Sequence, residues 1–491
     1  MKRPIALLPF IGLISLAAVF ARAGDWPEWR GLNRAAKATD FKAPSVWPEQ
    51  LTPKWKVTVG EGDSTPSLVG DKLYVFARQD GNEVIRCLDA NNGEEIWQEK
   101  YETARAEAPQ HFGPRATPTV AEQKVVTFGV RGKLSCLDAA TGKLLWRKDN
   151  FKSWPPFDTA SSPIVVEGLC IAQVGGNEDG AIVAYDLTSG DEKWKWPGGS
   201  PSHASPALMT IDDRKFVVAQ VAGKLVALDA SNGKLAWETA NGTAGGPGGR
   251  GGGFGRGRGQ RGPGGPGERR GPGGDEQREG PARQGREGAS QQPGPGGEAA
   301  QRGPEGARGQ RGPGGSGRGG RGGGMTRDRF ATTPIIDGQT IVYAGAGGTI
   351  KAVKLEKQGD KVSAKELWTN TDTENNSLAF NTPILKDGLL FGVNGLEKLF
   401  CIDAQTGKSA WVGPRDPSGS RGGYGSIVDA GAVLLAITPK SELIVFKPTA
   451  TEYTEFARIK VADSPTFAHL VVAGNRLFVK DSDSVALFAI D

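Results

Sequence analysis

Lys133-Leu134-Ser135-Cys136-Leu137-Asp138-Ala139-Ala140-Thr141-Gly142-Lys143-Leu144-Leu145-Trp146 is the stretch that decides the fold. Apolar and polar residues alternate up to Asp138, the period of a half-buried strand. Asp138 opens a turn by accepting backbone hydrogen bonds. Gly142 supplies the left-handed position that closes a short hairpin loop. Trp146 then falls on the returning strand, where its ring can pack against a neighbouring sheet. Four further segments superimpose on this one without gaps: Asp89, Gly93 and Trp97; Asp186, Gly190 and Trp194; Asp229, Gly233 and Trp237; Asp403, Gly407 and Trp411. A hairpin repeated at fixed spacing marks a repeat architecture.

A second landmark precedes each hairpin. Thr or Ser followed by Pro opens an apolar run at Thr65-Pro66, Thr117-Pro118, Ser162-Pro163, Ser205-Pro206, Thr333-Pro334 and Thr382-Pro383. Pro is tolerated at the first residue of a strand. Two degenerate copies begin near Ser426 and His469 and bring the count to eight. Each copy supplies four short strands: one at the Thr/Ser-Pro step, one like Lys72 to Phe76, one ending at the Asp and one carrying the Trp. Four strands at a period of about 45 residues predict an all-β, eight-bladed β-propeller of four-stranded antiparallel blades. Trp55, ahead of the first complete repeat, is expected on the outer strand of blade eight. There an N-terminal strand closes the ring and leaves only short, protected edges.

The Asp-x-x-Thr/Asn/Ser-Gly-x-x-x-Trp hairpin resembles the pyrroloquinoline-quinone (PQQ) repeat of quinoprotein alcohol dehydrogenases. It is equally similar to the non-enzymatic propeller of outer-membrane protein assembly factor B. The resemblance covers nearly all of the expected mature chain except one insert; it is clear in five blades and weak in blades five, seven and eight. Asp25-Trp26-Pro27-Glu28-Trp29-Arg30-Gly31 is similar to the leading segment of bacterial exported PQQ-like propellers, so residues 24–50 are expected to pack on the propeller.

The ends and the middle of the chain differ from the repeats. Lys2 and Arg3, the apolar run from Ile5 to Phe20 and Ala21-Arg22-Ala23 read as a secretory signal peptide over 1–23, cut near Ala23. The run is short for a membrane span of about 20 residues, and no other long apolar run follows, so no transmembrane segment is expected after cleavage. The expected location is periplasmic or secreted. No Cys follows the cleavage site, so a lipid-anchoring cysteine of the assembly-factor kind is missing. Residues 243–325 separate propeller residues 51–242 (blades one to four plus the closing strand) from 326–491 (blades five to eight). They hold nearly half of the chain's 73 glycines, with 14 Arg against seven acidic residues and Phe254 as the one aromatic. Such a Gly/Arg/Pro-rich stretch cannot bury enough apolar surface to order itself, and disorder is expected. Its Arg-Gly-Gly triplets lack the aromatic residues that stack bases, so no nucleic-acid partner is expected. Cys87, Cys136 and Cys401 each lie two residues before a motif Asp. Equivalent strand positions in packed sheets are about 10 Å apart, too far for a disulfide. With Cys170 they are read as buried free thiols.

A site is expected where the loops leading into the inner strands meet at one mouth of the central channel. The positions two before each landmark are Asp63, Arg115, Ala160, His203, Ala331, Phe380, Tyr424 and Phe467. Glu61, His111, Trp154, Asp158, Arg329, Asn376 and Arg421 lie nearby in sequence. Asp63, Arg115, Trp154, Asp158, His203 and Tyr424 are the candidate ligand residues, for a small polar ligand or an envelope protein. The three histidines show no metal-ligand spacing, and Asp481 with Asp483 falls short of a calcium loop, so no metal is expected. The family's dehydrogenases hold the quinone between a Trp and a vicinal cysteine pair, bind calcium and use an Asp base. This chain has no adjacent cysteines, and its calcium ligands and base cannot be placed. The expectation is a monomeric, non-catalytic binding or protein-interaction scaffold without cofactor. The alternative is a PQQ- and calcium-dependent alcohol or sugar dehydrogenase, with Trp154 as a stacking residue and Asp63 or Asp158 as base. Fold alone does not decide between them.

Overall fold

The computed structural model describes residues 24–107, 111–221, 223–241, 331–359, 361–378, 380–414 and 423–490. Residues 1–23, expected as a signal peptide, and the insert 243–325 lie outside the described residues, as do Arg329 and Arg421.

The described chain forms eight four-stranded antiparallel sheets, as the repeat predicts. Blade one comprises Ser67–Val69, Lys72–Gln79, Asn82–Asp89 and Glu95–Glu102, from inner to outer strand. Blade two runs from Thr119–Ala121 to Leu144–Lys148, blade three from Ile164–Val166 to Glu192–Trp196, and blade four from Ala207–Ile211 to Leu235–Ala240. Blade five runs from Ile335–Asp337 to Lys361–Asn370, blade six from Ile384–Lys386 to Ser409–Val412, and blade seven from Ser426–Ala430 to Glu455–Lys460. Blade eight takes Val471–Ala473, Arg476–Lys480 and Ser484–Ala489 from the end of the chain, and its outer strand is Trp55–Thr58. The closing register pairs Trp55 with Leu487 and Thr58 with Ser484. Lys480 fastens the same seam, its ammonium donating to the carbonyls of Gly60 (3.2 Å) and Gly62 (3.0 Å) just beyond the closing strand.

The motif residues act as their chemistry requires. Asp138 Oδ1 accepts the N–H groups of Ala140 and Thr141, and Gly142 sits at φ 72°. The turn donors hold the Asp138 and Asp403 carboxyls below the usual range and bring Asp186 down to about 2, led by the backbone N–H of Ser189. In blades one to seven the third and fourth strands pair through a register shift beside the Trp position, such as Cys136/Leu137 in blade two. A bulge re-aims the side chain next to it, here toward the next blade. Trp97 Nε1 donates to Ala139 O (3.2 Å), Trp146 to Leu187 O (3.0 Å), Trp194 to Ala230 O (3.0 Å) and Trp55 to Ala90 O (3.2 Å). Each acceptor directly follows the next blade's motif Asp. Blade five lacks the Asp–Gly hairpin, yet its Trp368 makes the same bond to Ala404 O (2.8 Å). In blade seven Ala457 takes the Trp register position, and a cleft of about 190 Å³ opens against blade eight, lined by Lys56, Lys460 and Asp481 among others. The four cysteines are buried and unpaired, as expected.

The Thr/Ser landmarks form a ladder around the channel. The N–H of Thr117 donates to Ser162 Oγ, Ser162 N–H to Ser205 Oγ, and Thr333 N–H to Thr382 Oγ1. His469, which replaces a landmark hydroxyl, donates its N–H to Thr65 Oγ1 across the closure.

Residues 24–50 pack on the propeller, and their first half enters its centre. Trp26 pairs with Leu68 of blade one, and Pro27 O accepts Val120 N–H of blade two. Arg34 donates to Ser162 O and Pro163 O of blade three and Pro206 O of blade four. Trp29 Nε1 donates to Thr333 Oγ1 of blade five, Arg30 to Thr382 O and Pro383 O of blade six. Ala36 and Ala38 bond to Asp429 of blade seven, and both tryptophans lie against His469 of blade eight. One segment thus touches all eight blades. It does so in a cramped backbone: Arg30, Asn33, Arg34 and Ala36 all have φ between 52° and 62°, which costs Arg30, Arg34 and Ala36 about 1–2 kcal/mol each in a free chain.

Candidate functional site

The inner strands all begin at one face of the ring, and the positions ahead of them divide into two groups. The first is aromatic. Phe380 stacks on Tyr424 (centroids 4.6 Å apart, planes 12° apart), and Tyr424 meets Phe467 edge-on at 5.3 Å. His111, from the loop leading into blade two, lies edge-on to Phe467 at 4.6 Å. Its Nδ1 donates to Asp63 Oδ2 at 2.5 Å. Asp63, Phe380, Tyr424 and Phe467 are ring positions of blades one, six, seven and eight, so the blade repeat gathers them. Aromatic pairs in offset or edge geometry stabilise one another beyond their buried area.

The second group is charged. Asp158 is buried; its Oδ2 accepts Glu107 N–H at 2.6 Å, and Arg131 Nε stands 3.5 Å from Oδ1. The Arg131 guanidinium also lies over the Trp154 ring, 4.7 Å from its centroid, a cation–π contact. Arg115 donates to the carbonyls of Phe157 and Thr159 (3.4 Å for the latter), and His203 Nε2 donates to Asp158 O at 3.1 Å. Phe157 and Asp158 both have φ near 70°, a strained pair for residues with a Cβ. Arg115 joins the two groups. Burial lowers its pKa, while Asp158, Asp63 and Tyr424 oppose that shift. Burial likewise raises the Tyr424 phenol, against Arg115.

All six candidate residues therefore lie in these two linked groups. Ala160 and Ala331 bring no functional group. Asn376 is buried and bonded to Ser409 of blade six. Glu61 pairs with Arg105 at 3.8 Å. Sequence reasoning missed Arg131, which has no fixed place in the repeat, and also Trp29, Arg30 and Arg34. The dense run Trp26-Pro27-Glu28-Trp29-Arg30 was the available signal for Trp29 and Arg30; Arg34 lies four residues beyond it. Among the described residues no group of three or more His, Cys, Asp or Glu gathers to hold a metal, and no helix is long and apolar enough to cross a membrane.

Comparison with known proteins gives two kinds of relative. The family model described as outer membrane protein assembly factor BamB matches residues 80–248 and 310–413, more than half of the chain. The 1-butanol dehydrogenase (cytochrome c) of Thauera butanivorans is 29% identical over 40% of this chain and 30% of its own. BamB of Bordetella pertussis is 24% identical over 38% of this chain and 44% of its own. The chain thus matches less than half the length of either curated relative. The crystal structure of BamB from Moraxella catarrhalis superposes with a TM-score of 0.57 at 14% identity, over 90% of this chain and all of that one. That likeness is one of fold.

Proposed function

The chain belongs to the PQQ-like propeller family whose model is described as outer membrane protein assembly factor BamB, and from that premise we propose that it is an exported, non-catalytic binding scaffold of the bacterial cell envelope. The observation that carries this reading is the filled channel: Trp29, Arg30 and Arg34 occupy the centre, and both guanidiniums are bonded to carbonyls just ahead of the inner strands. A mouth above such a plug suits contact with a partner's protruding side chain or a small polar ligand. The Phe380, Tyr424 and Phe467 cluster supplies the aromatic anchor and Arg115 the charge, the residue types that dominate binding hot spots.

The dehydrogenase relatives make quinone chemistry the second reading, and the residues present do not fit it. Calcium takes six to eight oxygens, whereas Asp63 is engaged by His111 and Asp158 by Glu107 N–H and Arg131. The four cysteines are separate and buried, and burial pushes the Cys136 and Cys401 thiols up to about 12.

The test is to mix the mature chain with PQQ and calcium, desalt it, and record the absorption spectrum beside a dye-coupled alcohol oxidation assay. No retained quinone and no turnover is the expected result; retained quinone with turnover overturns the reading. A photo-cross-linker at Phe380, but not at the outer-strand position Glu192, is expected to capture an envelope protein in living cells.

A further inference from the structure

The wall of the channel offers backbone carbonyls of blades three, four and six to the segment inside it. At the Ser162-Pro163, Ser205-Pro206 and Thr382-Pro383 steps the prolyl nitrogen has no hydrogen to donate, while the adjoining carbonyls accept from the segment in the channel. Pro163 O accepts both Arg34 Nη2 (2.5 Å) and Thr119 Oγ1 (2.7 Å). Arg30 donates to Thr382 O (2.6 Å), Pro383 O (2.8 Å) and Arg34 O (3.2 Å), so among the described residues this buried cation bonds to carbonyls. Arg34 reaches carbonyls of blades three and four and brings its own counter-ion, Glu28, at 2.9 Å. A planar fork of donors matches carbonyl groups set side by side, as a point ammonium does not.

Two features separate this segment from the blades that hold it. Its run of left-handed residues is a conformation the channel imposes on it, because L-residues avoid that region unless contacts compensate. It is also joined to the closing strand Trp55–Thr58 by a largely exposed connection in which Val46 is 80% exposed. The closing strand pairs with blade eight through its own register, so the ring is sealed without the plug.

We infer that the inward carbonyls of the channel form a binding site for an arginine-bearing peptide, and that residues 25–38 are its tethered occupant, separable from the eight blades. The site lies below the mouth described above and does not depend on what binds there.

The experiment places a specific protease site at Val46 and cuts the folded, full chain. The cut protein is expected to keep its thermal transition, to carry the 24–46 fragment through gel filtration, and to exchange it for a labelled peptide of residues 24–42. The same peptide with Arg30→Ala and Arg34→Ala is expected to compete at least about 100-fold more weakly, and the Lys/Lys peptide about 10-fold more weakly, for want of the fork. An uncut chain carrying Arg30→Ala and Arg34→Ala is expected to take up the labelled wild-type peptide, and the wild-type chain to refuse it. Unfolding on cleavage would make the segment an integral part of the fold and overturn the inference. Equal competition by the Ala/Ala peptide, or no uptake by the double variant, would overturn it as well.

Discussion

The indole of Trp97 lies where a side chain on Gly142 would have to begin: a Cβ built on Gly142 would stand 2.4 Å from Trp97 Cε3. The same holds between Trp146 and Gly190 (2.7 Å), Trp194 and Gly233 (2.4 Å), Trp368 and Gly407 (2.5 Å), and Trp55 and Gly93 (2.9 Å). The Asp–Gly hairpin of one blade is therefore the floor on which the previous blade's Trp rests. The spacing seen within each repeat records an interface between successive repeats.

Two glycines separate the two roles of that position. Gly142 and Gly168 have nearly equal φ (72° and 74°), but a Cβ on Gly168 would meet nothing within 4 Å. Gly168→Ala is expected to cost about 1–2 kcal/mol for its backbone alone. Gly142→Ala adds a clash with Trp97 and is expected to exceed it by about 1–3 kcal/mol. Urea unfolding measures both. In a Trp97→Ala background the excess at Gly142 should vanish; an excess that persists would remove the ring as its cause.

Trp146→Ala is expected to destabilise the ring by about 3–5 kcal/mol, since it deletes a buried ring and its bond to Leu187 O. Trp237 faces blade five, which offers no Asp–Gly hairpin, and it is only half-buried. Trp237→Ala is expected to cost clearly less. Equal melting temperatures for the two variants would refute the hairpin floor as the source of the difference.

The landmark ladder makes a third prediction. Ser162 Oγ accepts Thr117 N–H at 2.9 Å inside the ring, and both residues are buried. Ser162→Ala leaves that N–H unsatisfied and is expected to cost about 1–3 kcal/mol. Ser162→Thr, which keeps the hydroxyl and matches the landmark elsewhere, should restore most of the loss in thermal unfolding.

What was legible in the sequence was whatever repeats. Asp138, Gly142 and Trp146 announce a hairpin locally, and their recurrence gives the blades, the closing strand at Trp55 and the register that gathers Asp63, Tyr424 and Phe467. Trp368 escaped the motif because blade five's third and fourth strands are lengthened to Ile350–Gln358 and Lys361–Asn370, which breaks the eight-residue spacing while keeping the tryptophan opposite Ala352. Arg30 escaped for a different reason. Its partners Thr382 and Pro383 lie 352 and 353 residues away, and no local propensity encodes a contact made only after the ring has closed. Arg131 is likewise set by tertiary packing against Asp158 and Trp154.

His469 provides a test by pH. It lies buried between Trp26 and Trp29, and its Nδ1 donates to Leu470 O at 2.8 Å. Burial, reinforced by the Arg30 cation, lowers its pKa to about 3 from an ordinary 6.5. Between those values the unfolded chain binds a proton that the folded chain refuses. The group's contribution is therefore whole above pH 6.5 and shrinks as pH falls toward 3, with a slope approaching about 1.4 kcal/mol per pH unit. His469→Asn keeps a donor for Leu470 O but does not titrate. Urea unfolding at about pH 7, 6 and 5 should show the wild type losing stability faster than the variant by roughly that slope. Parallel curves would mean that His469 takes up its proton in the folded ring, and that Trp26, Trp29 and Arg30 do not seal it from water.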